Sequence, residues 1–529
     1  MNRSQRFLFN LVKYAVGGVI ISLAVQYFFL DQKKQGDDQY VTEGAGQQVA
    51  AIKAQELIVR KPLNTEIDFS DAKASRKAVL TEIETNQAIY QFSSDGAVLQ
   101  GVEFKRNADK ESSYLSTILP GSSLDKQARC FLVAFNENTP FYFDLIDHKK
   151  NDDSDILMYK SSTDKGIITK QFTIHNDTFQ IDVALTVEPK ANQQLQPRIF
   201  IPSPLVPELI NDDIISGFVN NERGNLVVHD RQKEETIASY WVKPTIFGTQ
   251  DRYFTHALVK DTDSFAQRGY FKAQDLHTLF SIIEGPVVIE PMTWHMSFYV
   301  GPKKSDAFAK VDSRLDQLLY TGWLTPISKP LSKLLLYILN WLYTFVHNYG
   351  LAIIILTVLI RLLLAPFTWG SEKDGGAKQR AYQKKLKYIE ERYKDDPQRL
   401  AAERADLIKK HGLPILGGMG GCLVMLFQMP IFVALSMVIA NSIELYRAPF
   451  LWIPDLSARD PFYILPLLTG LALLFHTPIK EPQQRVSAIV MALFIGGISS
   501  NFSAGLALYF LISSAMAVLQ NQAQGLFKR

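Results

Sequence analysis

The sequence Ile353-Ile354-Ile355-Leu356-Thr357-Val358-Leu359-Ile360-Arg361-Leu362-Leu363-Leu364-Ala365-Pro366-Phe367 carries a single charge within an apolar run. Such a run predicts a membrane-spanning helix. An arginine at the centre of a membrane helix costs about 2.5–3.5 kcal/mol on insertion scales, and a guanidinium cannot escape that cost by losing its proton. Arg361 therefore needs a partner or water.

The depth of Arg361 indicates which of these solutions applies. It lies about eight residues before Trp369, or roughly 12 Å along a helix. The other apolar stretches, 416–440, 461–477 and 486–519, contain no Asp or Glu. We therefore predict a hydrated cavity that opens towards the cytoplasm. The alternative is that Arg361 snorkels to the inner headgroups, which from this depth requires a distorted bilayer.

A few other polar residues interrupt the apolar stretches and are candidates for the lining of that cavity. Thr357 lies one helical turn before Arg361 and on the same face. Gln428 lies in the middle of its stretch, and Ser513 and Ser514 lie in the last one. Each of them alone is more often an interhelical hydrogen-bonding group than a functional residue.

The apolar stretches predict about six membrane-spanning helices. The first, within an N-terminal anchor at residues 1–30, runs from Tyr14 to Leu30 behind basic residues and shows no signal-peptide cleavage site, although a cleavable signal peptide is the alternative. A polar linker follows at 31–48. The remaining spans are predicted at 349–369, 416–440, 461–477 and, as two helices broken at Ser499–Ser503, 486–519.

The distribution of basic residues fixes the predicted topology. Segment 371–411 is rich in Lys and Arg and should be cytoplasmic, whereas 441–460 should lie outside. Both termini are then cytoplasmic. Within 371–411, Asp395-Asp396-Pro397 predicts a turn with an Asp N-cap between two helices, so the segment reads as a helical hairpin. Its charges fit a docking surface or an ordinary solvated face.

Residues 49–304 contain no apolar run that could span a bilayer and show strand patterns instead. Residues 166–174 and 178–187 alternate β-branched and aromatic residues around an Asn-Asp turn, which predicts a hairpin. Further strands are predicted at 239–242, 287–290 and 294–300. The fold class is therefore a polytopic α-helical membrane protein with an inserted all-β, β-sandwich domain that lies outside the cytoplasm.

Residues 305–346 are predicted to form a short helix, 306–320, and an amphipathic helix, 327–345. In the second helix six apolar residues are predicted on one face: Leu331, Leu334, Leu335, Ile338, Leu342 and Phe345. Trp323 and Trp341 lie nearby, which favours a helix lying in the membrane surface. The alternative is a packed helix of the β domain. The final domain, 347–529, is predicted to be a five-helix core.

Composition excludes several classes of function. The chain has 529 residues, a formal net charge of +3 and 2 Cys. This is neither a nucleic-acid-binding charge balance nor enough cysteine for a disulfide framework or a structural zinc site. The sequence contains no P-loop motif and no His-x-x-x-His pair. We therefore predict no enzyme activity, no catalytic residue, no cofactor and no metal.

Several runs in this chain resemble the YidC family of membrane protein insertases, in the Gram-negative form with a large periplasmic domain. The runs that carry the resemblance are 350–357 with Arg361 and Pro366, 393–399, 420–422, 428–432, 448–457 and 460–466. The sequence departs from the family pattern at Gly417-Gly418-Met419, at Val424 and in Phe502-Ser503-Ala504-Gly505. These departures lie at the start of the third span and in the last turn, away from Arg361.

The resemblance implies a bacterial inner membrane insertase whose five core helices form a groove open to the cytoplasm and to lipid. Arg361 would be the essential cation of this groove, and its other residues would be Thr357, Gln428, Ser513 and Tyr509. The expected clients are nascent membrane proteins, with the Sec translocon and lipids as partners. Ribosome and signal-recognition-particle components would dock on the hairpin through Tyr382, Lys385, Tyr393, Asp395 and Arg399.

Two other functions fit the same residues. A small-anion transporter or channel could use Arg361 to bind its solute, but such proteins commonly show repeat symmetry and this sequence shows none. A bare chaperone for the Sec translocon would insert nothing by itself.

Overall fold

The computed structural model of the chain describes most residues after 62. The described ranges are 63–67, 69, 77–105, 113–117, 129–136, 139–204, 215–221, 223–230, 240–273, 278–320, 325–394, 396–411, 429–439, 442–476 and 482–526. Within them, the side chains of 113–117, 230, 325–327, 366–384, 387, 408–411, 475–476, 482–487, 521 and 523–526 are not described. The predicted anchor 1–30, the linker 31–48, Gln428 and Asp395 lie outside the described residues, as does the Tyr382 side chain.

The chain divides into two compact units. One comprises the described residues of 45–321 together with 442–444, and the other those of 322–440 and 445–529.

The first unit is rich in β-strands. The strands are β1 (Leu80–Glu84), β2 (Ala88–Ser93), β3 (Val98–Lys105), β4 (Ser113–Thr117), β5 (Leu132–Ala134), β6 (Asp144–Lys150), β7 (Ser154–Ser162), β8 (Gly166–His175), β9 (Gln180–Pro189), β10 (Arg198–Pro202), β11 (Ser216–Asn220), β12 (Leu226–Asp230), β13 (Tyr240–Val242), β14 (Phe247–Gln250), β15 (Phe254–Asp261), β16 (Arg268–Ala273), β17 (Leu279–Glu284) and β18 (Met292–Pro302). All pairings between them are antiparallel.

These strands form three sheets, with the orders β1-β2-β3-β4, β13-β16-β17-β10-β5 and β12-β11-β14-β15-β18-β9-β8-β7-β6. The predicted hairpin is confirmed as β8 and β9, which pair from Gly166–Pro189 to Ile174–Ile181. Its burial alternates residue by residue because one face of each strand packs into the core.

Aromatic contacts join the sheets into layers. Phe92 of β2 lies 5.0 Å from Phe172 of β8, measured between ring centroids, and Phe247 of β14 stacks on Phe271 of β16 at 4.5 Å. The nine-stranded sheet therefore packs against both of the smaller sheets. This is the layered, all-β arrangement that the strand pattern predicts.

The other strand predictions have mixed outcomes. Strands are confirmed at Tyr240–Val242 and within Met292–Pro302. The strand predicted at 287–290 is wrong. Val288 makes only an isolated bridge with Leu195, while Val287 and Ile289 are exposed. An apolar run without a partner strand on either side cannot extend a sheet.

The helices are α1 (Ser305–Val311), α2 (Thr325–Val346), α3 (Tyr349–Arg392), α4 (Pro397–His411), α5 (429–439), α6 (Ile464–His476), α7 (Pro482–Ser499) and α8 (Ala504–Leu526). A 3-10 helix, Ser313–Leu318, follows α1 and completes the predicted helical stretch 306–320. The predicted break at Ser499–Ser503 is confirmed, since α7 ends at Ser499 and α8 begins at Ala504.

Helix α3 is longer than the predicted span. It has 44 residues, which corresponds to about 66 Å, and it includes the first helix of the predicted hairpin. None of the helices in the described part of the chain reaches the length and apolarity that crossing a membrane requires.

The helices of the second unit share one apolar core. Its buried residues come from α2, α3, α5, α6 and α8 and from the loop between α5 and α6. They include Leu339, Ile353, Leu356, Leu435, Ile439, Phe450, Leu465, Ala507 and Tyr509.

Helix α2 carries the six predicted apolar residues on one face, but only part of that face is buried. Leu335 and Leu342 are buried in the core, whereas Leu334 is 53% and Phe345 65% exposed. The apolar arc is wider than the surface that packs on the core. An exposed stripe therefore remains beside the buried one.

Candidate functional site

Helices α3 and α8 carry the charged residue Arg361 and its hydrogen-bond partner Ser513. Helix α3 begins after Asn348, whose Oδ1 accepts a hydrogen bond from the backbone N–H of Leu351 at 3.1 Å. Its next turns bury Ile353 and Leu356 against the core, and Arg361 follows one turn later. Helix α8 buries Ala507 and Leu508 in the same core and carries Ser513 one turn further along.

Arg361 and Ser513 are in direct contact. The Nε of Arg361 donates to the Oγ of Ser513 at 2.7 Å, and its Nη2 also reaches this hydroxyl. Ser513 is buried, but Arg361 is only half-buried. A neutral hydroxyl receives the guanidinium without cancelling its charge.

The other predicted groove residues with described side chains lie one turn away. Thr357 is 1% exposed and donates from its Oγ1 to the carbonyl of Ile353 in its own helix at 2.7 Å. Tyr509 is also 1% exposed and belongs to the apolar core. The structure thus brings Arg361 and Ser513 together and places Thr357 and Tyr509 beside them in the packed interior.

The helical hairpin is formed by the end of α3 and by α4. Asp396 accepts a hydrogen bond from the N–H of Arg399 at 3.1 Å, and α4 begins at Pro397, so the predicted N-cap is confirmed. Ile389 and Leu407 are buried where the helices meet, and Arg404 forms an ion pair with Glu390 at 2.5 Å.

The predicted docking residues of the hairpin differ in exposure. Lys385 and Arg399 are exposed, and Tyr393 is half-buried under the guanidinium of Arg392.

The β domain buries several basic side chains that were not anticipated from the sequence, and two of them each bind three main-chain carbonyls. Lys170 of β8 is fully buried and donates to the carbonyls of Gly96, Ala97 and Phe131 at 2.7, 3.0 and 2.8 Å. Burial holds its pKa well below the ordinary value. Burial also raises the pKa of the neighbouring Cys130 thiol, which keeps that cysteine protonated and unreactive.

The second is Arg198 of β10, which binds an extended segment at residues 63–67. Its Nη1 donates to the carbonyl of Asn64 at 2.6 Å, and its Nη2 donates to that of Glu66 at 3.1 Å. Tyr270 also donates to the Asn64 carbonyl, at 2.7 Å. We call residues 63–67 the strap. Its contacts to Arg198 and Tyr270 are made through main-chain carbonyls, and its Leu63 and Ile67 side chains pack against a buried apolar cluster.

The described residues contain no cluster of His, Cys, Asp and Glu that could hold a metal ion.

Two family models match the chain and together cover most of it. A model described as 60Kd inner membrane protein matches residues 341–524. A model described as YidC periplasmic domain matches residues 80–334.

Solved structures are also similar. The crystal structure of an active YidC insertase with its first transmembrane domain resolved is 18% identical, covers 89% of this chain and 98% of its own, and has a TM-score of 0.36. YidC from Thermotoga maritima is 16% identical over 84% of this chain and 97% of its own, with a TM-score of 0.28. A galactose mutarotase-like protein from Lactobacillus casei is 8% identical over 42% of this chain and 100% of its own, with a TM-score of 0.26.

The matched segments define an inner membrane protein that carries a periplasmic β-rich domain. The chain belongs to the YidC family of membrane protein insertases, in its Gram-negative form. The predicted family is therefore confirmed, and with it the inner membrane and nascent membrane proteins as clients. The family is not one of the conventional enzyme families.

Proposed function

We propose that this chain inserts membrane proteins through a hydrophilic groove that opens to the cytoplasm and contains Arg361. One observation carries the proposal: the guanidinium is half-buried among apolar helices and is held by a neutral hydroxyl, that of Ser513. The apolar segments 416–440, 461–477 and 486–519 contain no Asp or Glu.

The charge acts on the polar part of a client. Moving an acidic segment across hydrocarbon is opposed mainly by loss of hydration. A wet groove that reaches Arg361 shortens the dry path, and the guanidinium transiently attracts the acidic segment. The apolar span of the client then moves into lipid, driven by its own burial at about 25 cal/mol per Å². In the proposal Gln428 and Ser513 lie on this path, while the predicted groove residues Thr357 and Tyr509 are buried one turn away and support it from the core.

The topology belongs to the same proposal. We infer about six membrane-spanning helices, cytoplasmic termini and a periplasmic β domain between the first two spans. This arrangement places the hairpin of α3 and α4 in the cytoplasm, where ribosome and signal-recognition-particle components would dock on Lys385, Tyr393 and Arg399, together with Tyr382 and Asp395. Exposure of Lys385 and Arg399 supports this role.

Helix α2 lies in the membrane surface in this proposal. Its exposed stripe contains Leu334, Tyr337, Trp341 and Phe345, of which Tyr337 is 71% and Trp341 51% exposed. Aromatic side chains of this kind favour the boundary between headgroups and acyl chains.

The partners belong to the same proposal. The chain works alone on some clients and with the Sec translocon on others.

Insertion into proteoliposomes that contain only this protein tests the proposal. Arg361→Lys keeps the charge, and Arg361→Ala removes it. We expect Arg361→Lys to support insertion of a client with an acidic external tail and Arg361→Ala to lower its rate at least tenfold. A client with a neutral tail should be affected less. Arg459→Ala, which removes an exposed cation outside the proposed groove, is the matched control.

Three outcomes would contradict the proposal. If Arg361→Ala inserts the acidic client as well as Arg361→Lys does, charge attraction is not the mechanism. Anion flux without client insertion would favour the transporter. Absence of insertion by the unaltered protein alone would leave a chaperone of the Sec translocon.

A further inference from the structure

The loop between α5 and α6 exposes three large apolar side chains. We call residues 445–463 the outer loop. Leu451 is 76% exposed, Phe462 66% and Tyr463 55%. We call these three residues the apolar tip. Their neighbours Phe450, Ile453 and Leu456 are buried in the core, so the loop as a whole is well packed.

The backbone at the apolar tip is conformationally strained. Phe450 and Ile453 exchange backbone hydrogen bonds at 2.8 and 2.9 Å, which closes a two-residue turn at Leu451. Leu451 has a φ of +52° and Tyr463 a φ of +55°. Hairpin turns usually place glycine at such a position, because a side chain there is strained. Leu451 and Tyr463 thus combine strain with exposure of an apolar group to solvent.

Buried hydrogen bonds hold the apolar tip in place. Asp460 is 3% exposed and accepts from the indole Nε1 of Trp452 at 3.1 Å. The same carboxylate accepts from the N–H of Phe462 at 3.1 Å and of Leu465 at 2.7 Å. One carboxylate therefore fixes the turn at Leu451, the position of Phe462 and the start of α6. The exposure of the apolar tip is built into the fold.

The apolar tip lies at the end of the helical unit where α3 begins. The Phe450 ring packs directly on Gly350 in the first turn of α3. Asn348, between α2 and α3, donates from its Nδ2 to the carbonyl of Pro449 at 3.4 Å. The last turns of α2 expose Trp341 and Phe345. Two elements that meet at this end thus expose large apolar side chains.

We propose that the apolar tip inserts into the boundary between headgroups and acyl chains on the outer face of the bilayer. Three arguments favour lipid as the occupant: the chain is an inner membrane protein, the aromatic residues of α2 are exposed beside it, and a tyrosine suits the interface because its ring is apolar and its hydroxyl polar. Burial of the apolar tip in lipid offsets the cost of its strained backbone. This inference rests on the proposed topology but not on Arg361 or on the groove.

The matched control is Tyr388 of α3. It is 59% exposed and is therefore as accessible as the apolar tip. It lies 39 residues after Tyr349 on the same helix, or about 58 Å along its axis. A bilayer with its headgroups is about 40–45 Å thick. Tyr388 should therefore lie in water when the start of α3 lies at the outer interface.

The experiment uses the full chain, purified and reconstituted into phosphatidylglycerol–phosphatidylethanolamine vesicles. The photoreactive residue p-benzoylphenylalanine replaces Leu451, Phe462 or Tyr388, one at a time. After illumination, phospholipid adducts of each peptide are quantified by mass spectrometry. We expect at least tenfold more lipid adduct at positions 451 and 462 than at 388.

Two results would overturn the proposal. Lipid adducts at 451 and 462 at the level of 388 would show that the apolar tip faces water. Adducts to a second copy of the chain would show that it is a protein interface. An unchanged thermal unfolding midpoint shows that each labelled protein is folded. Because neither this midpoint nor the adduct yield requires a client, failure of the groove mechanism leaves the test unaffected.

Discussion

Arg361 of α3 and Ser513 of α8 are joined by a hydrogen bond of 2.7 Å from Nε to Oγ. This bond links two helices through the one described basic side chain that is half-buried between them. Hydrogen bonds to charged groups contribute about 1.5–3 kcal/mol. The bond therefore both orients the guanidinium and ties α3 to α8.

We expect Ser513→Ala to lower the rate of client insertion severalfold, because the guanidinium loses the group that orients it. The charge itself remains, so the loss should be smaller than in Arg361→Ala. Ser514→Ala is the matched control, since Ser514 is the next residue of the same helix and lies about 100° around its axis from Ser513. Insertion of an acidic-tailed client into proteoliposomes measures both. Equal rates for the two variants would show that the bond has no role in positioning.

Arg198 should be essential for holding the strap. Arg198→Met keeps the length and apolar stem of the side chain but removes the donors to Asn64 and Glu66. We expect the amides of residues 64–67 to exchange with solvent at least tenfold faster, while the β8–β9 hairpin stays protected. Hydrogen exchange of the full chain, read by mass spectrometry, gives both values. Arg223→Met, at an exposed site, should change neither. Unchanged exchange in the strap would mean that its apolar contacts alone retain it.

Lys170 should be among the most important residues for stability of the β domain. Lys170→Met fills the same space but leaves the carbonyls of Gly96, Ala97 and Phe131 without their donor. Buried acceptors that lose a partner cost about 1–3 kcal/mol each, so we expect a destabilisation on the order of 3 kcal/mol. The rate of alkylation of Cys130, followed by mass spectrometry, should rise accordingly. Lys160→Met, on the exposed face of β7, should leave that rate unchanged.

The sequence predicts the alternation of β8 but not the role of Lys170. Period-two burial places residues 166, 168, 170, 172 and 174 on the inner face, so the pattern already puts a lysine among core residues. Its carbonyl partners come from two distant parts of the chain. No local pattern specifies such contacts, because they arise only when the sheets pack.

In the helical unit, too, local sequence predicts some features and not others. The break before Ala504, the cap at Asp396 and the charge at Arg361 all follow from local sequence. Continuity of α3 from Tyr349 to Arg392 does not, since Gly375 and Gly376 favour a break there. The exposed part of the apolar face of α2 could not be predicted either, because a period of 3.6 residues does not reveal how wide a surface the neighbours cover.

His256 should make the β domain sensitive to acid. It is fully buried on β15, and its Nδ1 donates to the carbonyl of Pro202 at 2.9 Å. Burial lowers its pKa from 6.5 to about 4. The unfolded chain therefore binds a proton between pH 6.5 and 4 that the folded chain does not bind. Stability falls as the pH drops through this window, by up to about 3 kcal/mol.

His256→Gln should abolish most of this acid sensitivity. His175 provides the control of opposite sign, because its hydrogen bond to Asp182 raises its pKa. That pair stabilises the folded state below pH 6.5 and loses its effect as the pH rises through the folded pKa, so His175→Gln should slightly increase the acid sensitivity. Hydrogen exchange of the β domain in the full chain at pH 7 and pH 5 measures each variant. An unchanged pH dependence in His256→Gln would exclude His256 as its source.

The contact between Gly350 and Phe450 should determine how the outer loop packs on α3. A Cβ at position 350 would meet the Phe450 ring, so Gly350→Ala forces the ring to move. Overpacking of this kind costs about 1–3 kcal/mol. We expect the thermal unfolding midpoint of the detergent-purified protein to fall by several degrees. Phe450→Leu in the same chain should recover part of the loss, because it removes the ring that the new methyl group meets.

Gly497→Ala is the control for this substitution. Gly497 lies in α7 with no atom within 4 Å of an added Cβ, so alanine should stabilise that helix slightly. A double-mutant cycle between positions 350 and 450 isolates the pair. Since the two residues touch, the cycle should give a coupling of about 1 kcal/mol or more. A coupling near zero would mean that the outer loop relaxes away from α3 without cost, and the fixed position of the apolar tip would then lose its support.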